Sequence, residues 1–424
     1  MNSKISISYD AIMRSLFFLV LLLLPFQDSG LSATPLRMFG LYLSNLPLVV
    51  MVAFSFFHSI YIHRIEKKDI FIMLAFYYII FYSLGLSFII GDNVVISLYK
   101  TMTNCIILLF QIIVFFYAIR YFDVIRKYIW IVFLIDIAGC LVCDIAGIDL
   151  GILIHRPRSI LADNRFHGFS SETSWFSYTT VLLGLLAAAC SKSAIYKYIY
   201  IITALVVAFS GGSKGTILCI PLAFFIYVLF SGRYRIWTKA LLVIVSSVIL
   251  YEVYIEFVEE SFIFDLREST SFATRASSII SAVLIFFHYP LGTGFGSFTT
   301  IFRDYVIQGF DILNQLVPLY VISPNEILSM MNDPAGVGLT IKVVFFQYLA
   351  FFGIPFLYLL YRVIKYLVKE FQGSKKIYII TLYFIFISLA TFAQIYYDSI
   401  ITIAALYCLN KKDFSSESER IHVK

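Results

Sequence analysis

Charge is scarce in this chain: Asp, Glu, Lys and Arg together make up 14% of 424 residues, while apolar residues make up 60%. A soluble domain carries roughly 25% charged and 45–50% apolar residues. That excess is too large for one soluble core. Strict polar–apolar alternation is also missing, which excludes a membrane β-barrel. Internal repeats and low-complexity tracts are absent as well. The six cysteines, Cys105, Cys140, Cys143, Cys190, Cys219 and Cys408, all fall in or at the ends of apolar runs. A disulfide framework would place them in extracytoplasmic loops. Cys140 and Cys143 have C-x-x-C spacing, but no further Cys or His stands near them, so a metal or redox site is not expected.

What is present is a series of apolar runs of roughly 17–25 residues, separated by short polar breaks. In hydrocarbon each backbone N–H and C=O must be satisfied within the protein, so such runs are helices. The expected fold is all-α: one polytopic integral membrane domain, 1–424, with about 12 transmembrane helices. The runs lie near 13–29, 38–61, 70–90, 97–118, 128–148, 174–190, 196–210, 216–231, 239–257, 337–361, 377–392 and 395–409. The first is expected to be a retained helix and not a cleaved signal peptide, because a long segment precedes it. The tail from Asn410 to Lys424 is short and polar and is expected to be mobile.

The net charge of +6 comes mostly from short loops, which makes it a topology signal and not a nucleic-acid signal. With the N-terminus cytoplasmic, one side collects Arg64, Lys67, Lys68, Arg120, Arg126, Lys127, Lys192, Lys197, Arg233, Arg235, Lys239, Arg362, Lys365, Lys369, Lys375, Lys376, Lys411 and Lys412. The opposite loops near 30–36, 91–93 and 393–398 hold no Lys or Arg. Both termini are therefore expected in the cytoplasm.

Three outer segments break this asymmetry: a first long loop at 150–173, the turn Gly211–Gly215, and a large insert at 258–336. They carry Arg156, Arg158, Arg165, Lys214, Arg267, Arg275 and Arg303. A basic residue placed against the topology preference has another use. The first loop runs Arg156-Pro-Arg158, then Arg165-Phe-His167-Gly168-Phe-Ser-Ser-Glu172. Arginine presents a planar fork of donors that fits phosphate oxygens. A carboxylate at the membrane boundary can take a proton from a sugar hydroxyl. The alternative is that Arg165 and Glu172 pair to brace the loop. Ser210-Gly-Gly-Ser-Lys214-Gly-Thr216 is either a ligand-facing backbone turn or a tight hairpin with a snorkelling lysine. It lacks P-loop spacing.

In the insert, a helix of about fifteen residues begins at Arg275 and ends at Pro290-Leu-Gly292-Thr-Gly294-Phe-Gly296. Its length suits an interfacial helix, and its glycines suit close backbone approach. No strand precedes them, which excludes a dinucleotide fold. The acidic and aromatic residues around it are either a solvated face or a carbohydrate groove. Within the spans, Lys100, Asp136, Asp144 and Lys342 are the main ionisable residues, few for an ion-coupled transporter.

These pieces, in this order, resemble the bacterial O-antigen and capsular polysaccharide polymerases of the Wzy type, within the wider O-antigen polymerase and ligase family. The resemblance covers nearly the whole chain in topology. In sequence it rests on Arg165-x-x-Gly168-x-x-x-Glu172, on Ser210 to Thr216, and on Arg275 to Gly296. It implies a GT-C-like glycosyltransferase at the periplasmic face of the bacterial inner membrane. The implied substrate is an undecaprenyl-diphosphate-linked oligosaccharide, with membrane lipid around it and a chain-length regulator protein as partner. No cofactor and no metal are implied. Carried over by position, Arg165 and Arg275 would hold the diphosphate and Glu172 would serve the acceptor hydroxyl. Arg156, Arg158, His167, Lys214 and Arg303 would assist substrate binding. Two departures stand out. The R-x10-G spacing of some relatives is absent at Arg158 and Arg275. The His-Asn pair that many relatives carry before the late span is replaced by Asn332-Asp333-Pro334. Ligases share the donor but use a lipid A-core acceptor, and the missing histidine argues against them. A lipid-linked oligosaccharide flippase would show two similar halves, which this chain lacks.

Overall fold

The computed structural model describes residues 2–27, 29, 39, 41–61, 67–91, 94–148, 166–170, 172–230, 235–253, 255, 271–316, 324–332, 340–393 and 396–422. Among these residues the structure is helical, with one isolated β-bridge between Gln27 and Tyr42. In chain order the helices are α1 (Asn2–Leu22), α2 (Asn45–Tyr61), α3 (Lys67–Ile90), α4 (Val94–Arg120), α5 (Phe122–Gly139), α6 (Thr173–Cys190), α7 (Ala194–Ser210) and α8 (Lys214–Phe230). They continue as α9 (Ile236–Val253), α10 (Ser271–His288), α11 (Gly294–Leu316), α12 (Asn325–Asn332), α13 (Val344–Glu370), α14 (Lys376–Thr391) and α15 (Tyr397–His422).

Among the described residues, five stretches are long and apolar enough to cross a membrane: Ile70–Ile90, Ser97–Arg120, Phe122–Ile145, Thr173–Cys190 and Val344–Glu370. Five more helices are apolar but shorter. Large apolar side chains point outward over much of the molecule, as with Ile89 at 79% and Trp237 at 82% exposure. Water would penalise such a surface, whereas lipid would not.

α6 is the interior helix: 72% of it is buried. On one side it joins a core built from α1, α4, α5 and α15, with Phe17, Phe133, Leu183 and Ile401 at its centre. On the other it packs Tyr178 and Leu182 against Cys219 of α8 and Phe384 of α14. Small residues let the backbones close in. A Cβ on Gly184 would lie 2.5 Å from the Ala204 Cβ of α7. Close approach of this kind is how helices associate where the hydrophobic effect gives no drive.

A second core lies in the α10–α11 hairpin, which packs on α3, α4 and α13. The insert thus holds an 18-residue helix, Ser271–His288, followed by the 23-residue α11. The Pro290–Gly294 corner locks into α13 at Gly353. Ile354 N–H donates to Pro290 O at 2.8 Å, and Thr293 N–H donates to Ala350 O at 3.0 Å. Gly353 has φ +49° and breaks the helical path there.

The start of the C-terminal tail is helical and tied to the bundle. α15 continues to His422. Its first polar turn is fastened to the end of α13 and the start of α14. Ser374 Oγ donates to Asn410 Oδ1 at 2.5 Å, Asn410 Nδ2 donates to Glu370 O at 2.8 Å, and Tyr378 Oη donates to Asp413 Oδ2 at 2.9 Å. Lys375 completes the set with an ion pair to Asp413 at 2.8 Å. Four partners thus hold that turn to the bundle.

Candidate functional site

Arg156, Arg158 and Arg165 lie outside the described residues. The rest of the first loop can be built from its anchor. α5 ends in a π turn, Cys140–Ile145, where Ala146 N–H reaches back to Leu141 O at 2.9 Å. Such turns hold an extra residue and often stand at functional sites. This one carries Asp144, whose side chain is 1% exposed. Its Oδ2 accepts the backbone N–H groups of His167 and Gly168, at 2.9 and 2.7 Å. Its Oδ1 lies 3.0 Å from His167 Nδ1. The structure therefore places His167 inward, as part of a loop anchor.

Gly168 follows with φ +53°, and a Cβ there would stand 2.6 Å from the Phe176 ring. Phe169 then inserts between Phe26, at 4.4 Å between ring centres, and Gly139 of α5. The sharp turn delivers the chain to Glu172, which is the exposed residue just before α6. Glu172 has extended backbone geometry, and its carboxylate accepts from Ser174 Oγ at 3.3 Å.

The Gly211 turn lies against this loop. A Cβ on Gly211 would meet Ser177 Oγ at 2.5 Å and Phe166 O at 3.3 Å. Lys214 opens α8 from this turn and is half-buried. The next residue, Gly215, packs against the Phe392 ring, where an added Cβ would stand at 2.7 Å. The segment after Phe392 leads to Tyr396, which is 2% exposed. Its ring contacts Trp175 of α6 at 5.5 Å and Tyr42 at 5.9 Å, centre to centre. Its hydroxyl has no hydrogen-bond partner.

Through Trp175 the Tyr396 ring packs on the first turn of α6, three residues after Glu172. Arg275 comes from the first turns of α10, is half-buried, and its Nε is buried without a partner. Asp398 is already satisfied: its Oδ2 accepts from Thr179 Oγ1 at 2.6 Å and its Oδ1 from Ser399 N–H at 2.6 Å. Below it Asp136, 1% exposed, accepts from Thr180 Oγ1 at 2.6 Å. A carboxylate such as Glu172 can take a proton from a sugar hydroxyl, and a guanidinium such as Arg275 can balance an anionic group.

Arg303 stands apart. Ser281 Oγ donates to Tyr305 O at 3.0 Å, which levels Arg303 with the C-terminal half of α10. That puts it roughly 10 Å along the hairpin axis from Arg275, at 1.5 Å rise per residue. Among the described residues no group of three or more His, Cys, Asp and Glu side chains is placed to hold a metal ion. Sequence reasoning missed Tyr396 and the anchoring role of Asp144. The sole signal for Asp144 was its being one of few charges in an apolar run.

Comparison with known proteins gives one partial likeness. A stretch of 237 residues is 27% identical to an uncharacterized 49.5 kDa protein in the cps region of Klebsiella pneumoniae. It covers 55% of this chain and 53% of that protein, so the match spans about half the length of each. No protein-family model matches the chain, and no solved structure matches it.

Proposed function

We propose that this chain acts in surface polysaccharide biosynthesis, as a polymerase of lipid-linked repeat units. In this reading it is a multi-pass inner-membrane protein with about twelve crossings and both termini in the cytoplasm. The carrying observation is the anchored first loop, where Asp144 holds the His167 and Gly168 amides just ahead of the exposed Glu172 at the start of α6. The likeness to a protein of a cps region supports the same process.

The reaction follows from those groups. The acceptor sugar hydroxyl attacks the anomeric carbon of the donor glycan. The bond from that carbon to the diphosphate oxygen breaks, and its electron pair stays on the diphosphate. Glu172 takes the hydroxyl proton. Arg275, with Arg165 and Lys214, balances the charge that grows on the leaving diphosphate. Donors fixed where charge develops are worth about 100- to 1000-fold in rate. The diphosphate is already an activated leaving group, so the proposal calls for no metal or cofactor.

The test is purified protein in lipid nanodiscs, supplied with undecaprenyl-diphosphate-linked repeat units and no other protein. Wild type is expected to form a ladder of polymer. Arg275→Ala, Arg165→Ala and Glu172→Ala should each slow it about 100-fold or more. Absence of polymer from wild type would sink the activity. Full ladders from all three variants would sink the site. Transfer onto lipid A-core without chain growth would make the chain a ligase.

A further inference from the structure

We propose that the α10–α11 hairpin is a re-entrant membrane element whose tip contacts the hydrocarbon chains of the surrounding lipid. Its place in the sequence puts this segment in a loop outside the membrane, whereas the contacts of its corner put it inside. The inference rests on the multi-pass reading and not on the polymerase chemistry.

Two helices measure the depth of the tip, and both contain a stretch long and apolar enough to cross a membrane. On α3, Tyr82 Oη donates to Leu291 O at 2.5 Å, and a Cβ on Gly294 would lie 2.8 Å from Ser83 O. Tyr82 and Ser83 stand eight and seven residues inside the end of α3 at Ile90, roughly 10–12 Å at 1.5 Å rise per residue. On α13, Thr293 N–H donates to Ala350 O at 3.0 Å and Ile354 N–H to Pro290 O at 2.8 Å. Ala350 and Ile354 stand six and ten residues inside the start of α13 at Val344, roughly 9–15 Å. Half the thickness of a hydrocarbon core is about 15 Å. Two residues past Gly294 the chain is already rising. Gly296 packs on Ser87 of α3 and Ser97 of α4, each three residues from its helix end. The corner is therefore the deepest point of the hairpin.

The backbone of the corner meets the condition that hydrocarbon sets. Non-helical backbone at membrane depth is tolerated only where protein satisfies its polar groups. The carbonyls of Tyr289, Pro290 and Leu291 accept from Gly292 N–H, Ile354 N–H and Tyr82 Oη. Pro290 brings no N–H. A break in α13 supplies the partners. Gly353, at φ +49°, parts Ile354 N–H from Ala350 O, its ordinary acceptor four residues back. Pro290 takes the freed donor, and Thr293 takes the freed acceptor. A loop in water has no such need, since water would satisfy each group.

The outward side of the tip is apolar. Phe287 is 74% and Leu291 54% exposed, and Ile354 across the joint is 52% exposed. Water penalises such a corner and lipid does not. His288, in the last turn of α10, keeps its Nδ1 2.9 Å from Leu284 O and its ring 5.3 Å from that of Tyr305. The hairpin is thereby a post set in the membrane, and Arg275 rides near its other end.

Leu291→Trp and Phe287→Trp test the depth, with Gln308→Trp as the comparison. Gln308 is exposed on α11, fourteen residues beyond Gly294. Each full-length variant is placed in nanodiscs, and its emission above the wild-type background is followed with two quenchers: acrylamide in the water, and lipids brominated along their acyl chains. The added emission at 291 and 287 is expected to lose most of its intensity to brominated lipid and little to acrylamide. At 308 the order reverses. Quenching at 291 and 287 by acrylamide would put the corner in water and overturn the inference. Quenching by neither would mean that protein, such as a second copy of this chain, covers the tip, which overturns the lipid contact equally. Phe287→Trp exchanges one exposed aromatic for another, so it reports even where Leu291→Trp fails to fold. A tip quenched by lipid in a protein that makes no polymer supports this assignment while removing the polymerase reading.

Discussion

Asp144 carries one negative charge in an apolar run, and two backbone N–H groups from a segment 23 residues later donate to its Oδ2, with the His167 ring beside its Oδ1. Burying a carboxylate is tolerable only when it finds polar partners, and this loop supplies them. Removing it leaves two backbone N–H groups without their acceptor. Asp144→Ala should destabilise the protein by roughly 2–4 kcal/mol and release the loop that presents Glu172. Asp144→Asn, which keeps an acceptor, should lose less. Thermal unfolding in detergent with limited proteolysis checks both, and an unchanged midpoint for the alanine variant would contradict the anchor. The chain's residues alone pointed to Arg165, Gly168 and Glu172 as a unit, but not to what holds them. Spacing cannot show that a charge in one helix closes on the amides of a loop. Tyr396 was illegible for a related reason: it is one of 30 tyrosines, and only packing shows its ring set between Trp175 and Tyr42.

At the scale of elements, glycine and proline did most of the signalling. The Pro290–Gly296 string was legible as a place of close backbone approach. Its partner was not, because Gly353 sits in a run that scans as an ordinary span. The two form one joint: a Cβ on Gly353 would lie 2.0 Å from Pro290 O, and one on Gly292 would lie 2.3 Å from Phe351 O. Gly353→Ala must adopt a left-handed φ and push the corner away, losing two interhelix hydrogen bonds. The expected cost is about 3 kcal/mol or more, seen as a collapse of folded yield on fluorescence-detected size exclusion. Wild-type yield would show that the joint has slack. The tail of α15 is the opposite case. Its polar letters resembled a mobile end, yet its partners lie on α13 and α14, some 40 positions earlier in the chain.

Across the whole molecule, the division is between a lipid-tolerant exterior and a polar interior around α6. Composition announced the first, since exposed Phe, Ile and Tyr cover helices that water would not accept. The second depends on side chains from the bridge residue Gln27 and from α5, α6 and α15 meeting as Gln27, Asp136, Thr179, Thr180 and Asp398. If the proposed activity holds, deleting the gene should remove long glycan chains and leave single repeat units on their lipid acceptor. Loss of even the single units would point to a different step. The π turn of α5 sets a further condition on the chain as a whole. One residue more than a regular helix needs is held between Cys140 and Ile145. Each residue of a helix advances it by about 100°. Removing one there would restore the ordinary winding and swing Asp144 out of phase with the loop it secures. Insertions and deletions are therefore excluded at this point, on grounds of helix phase alone.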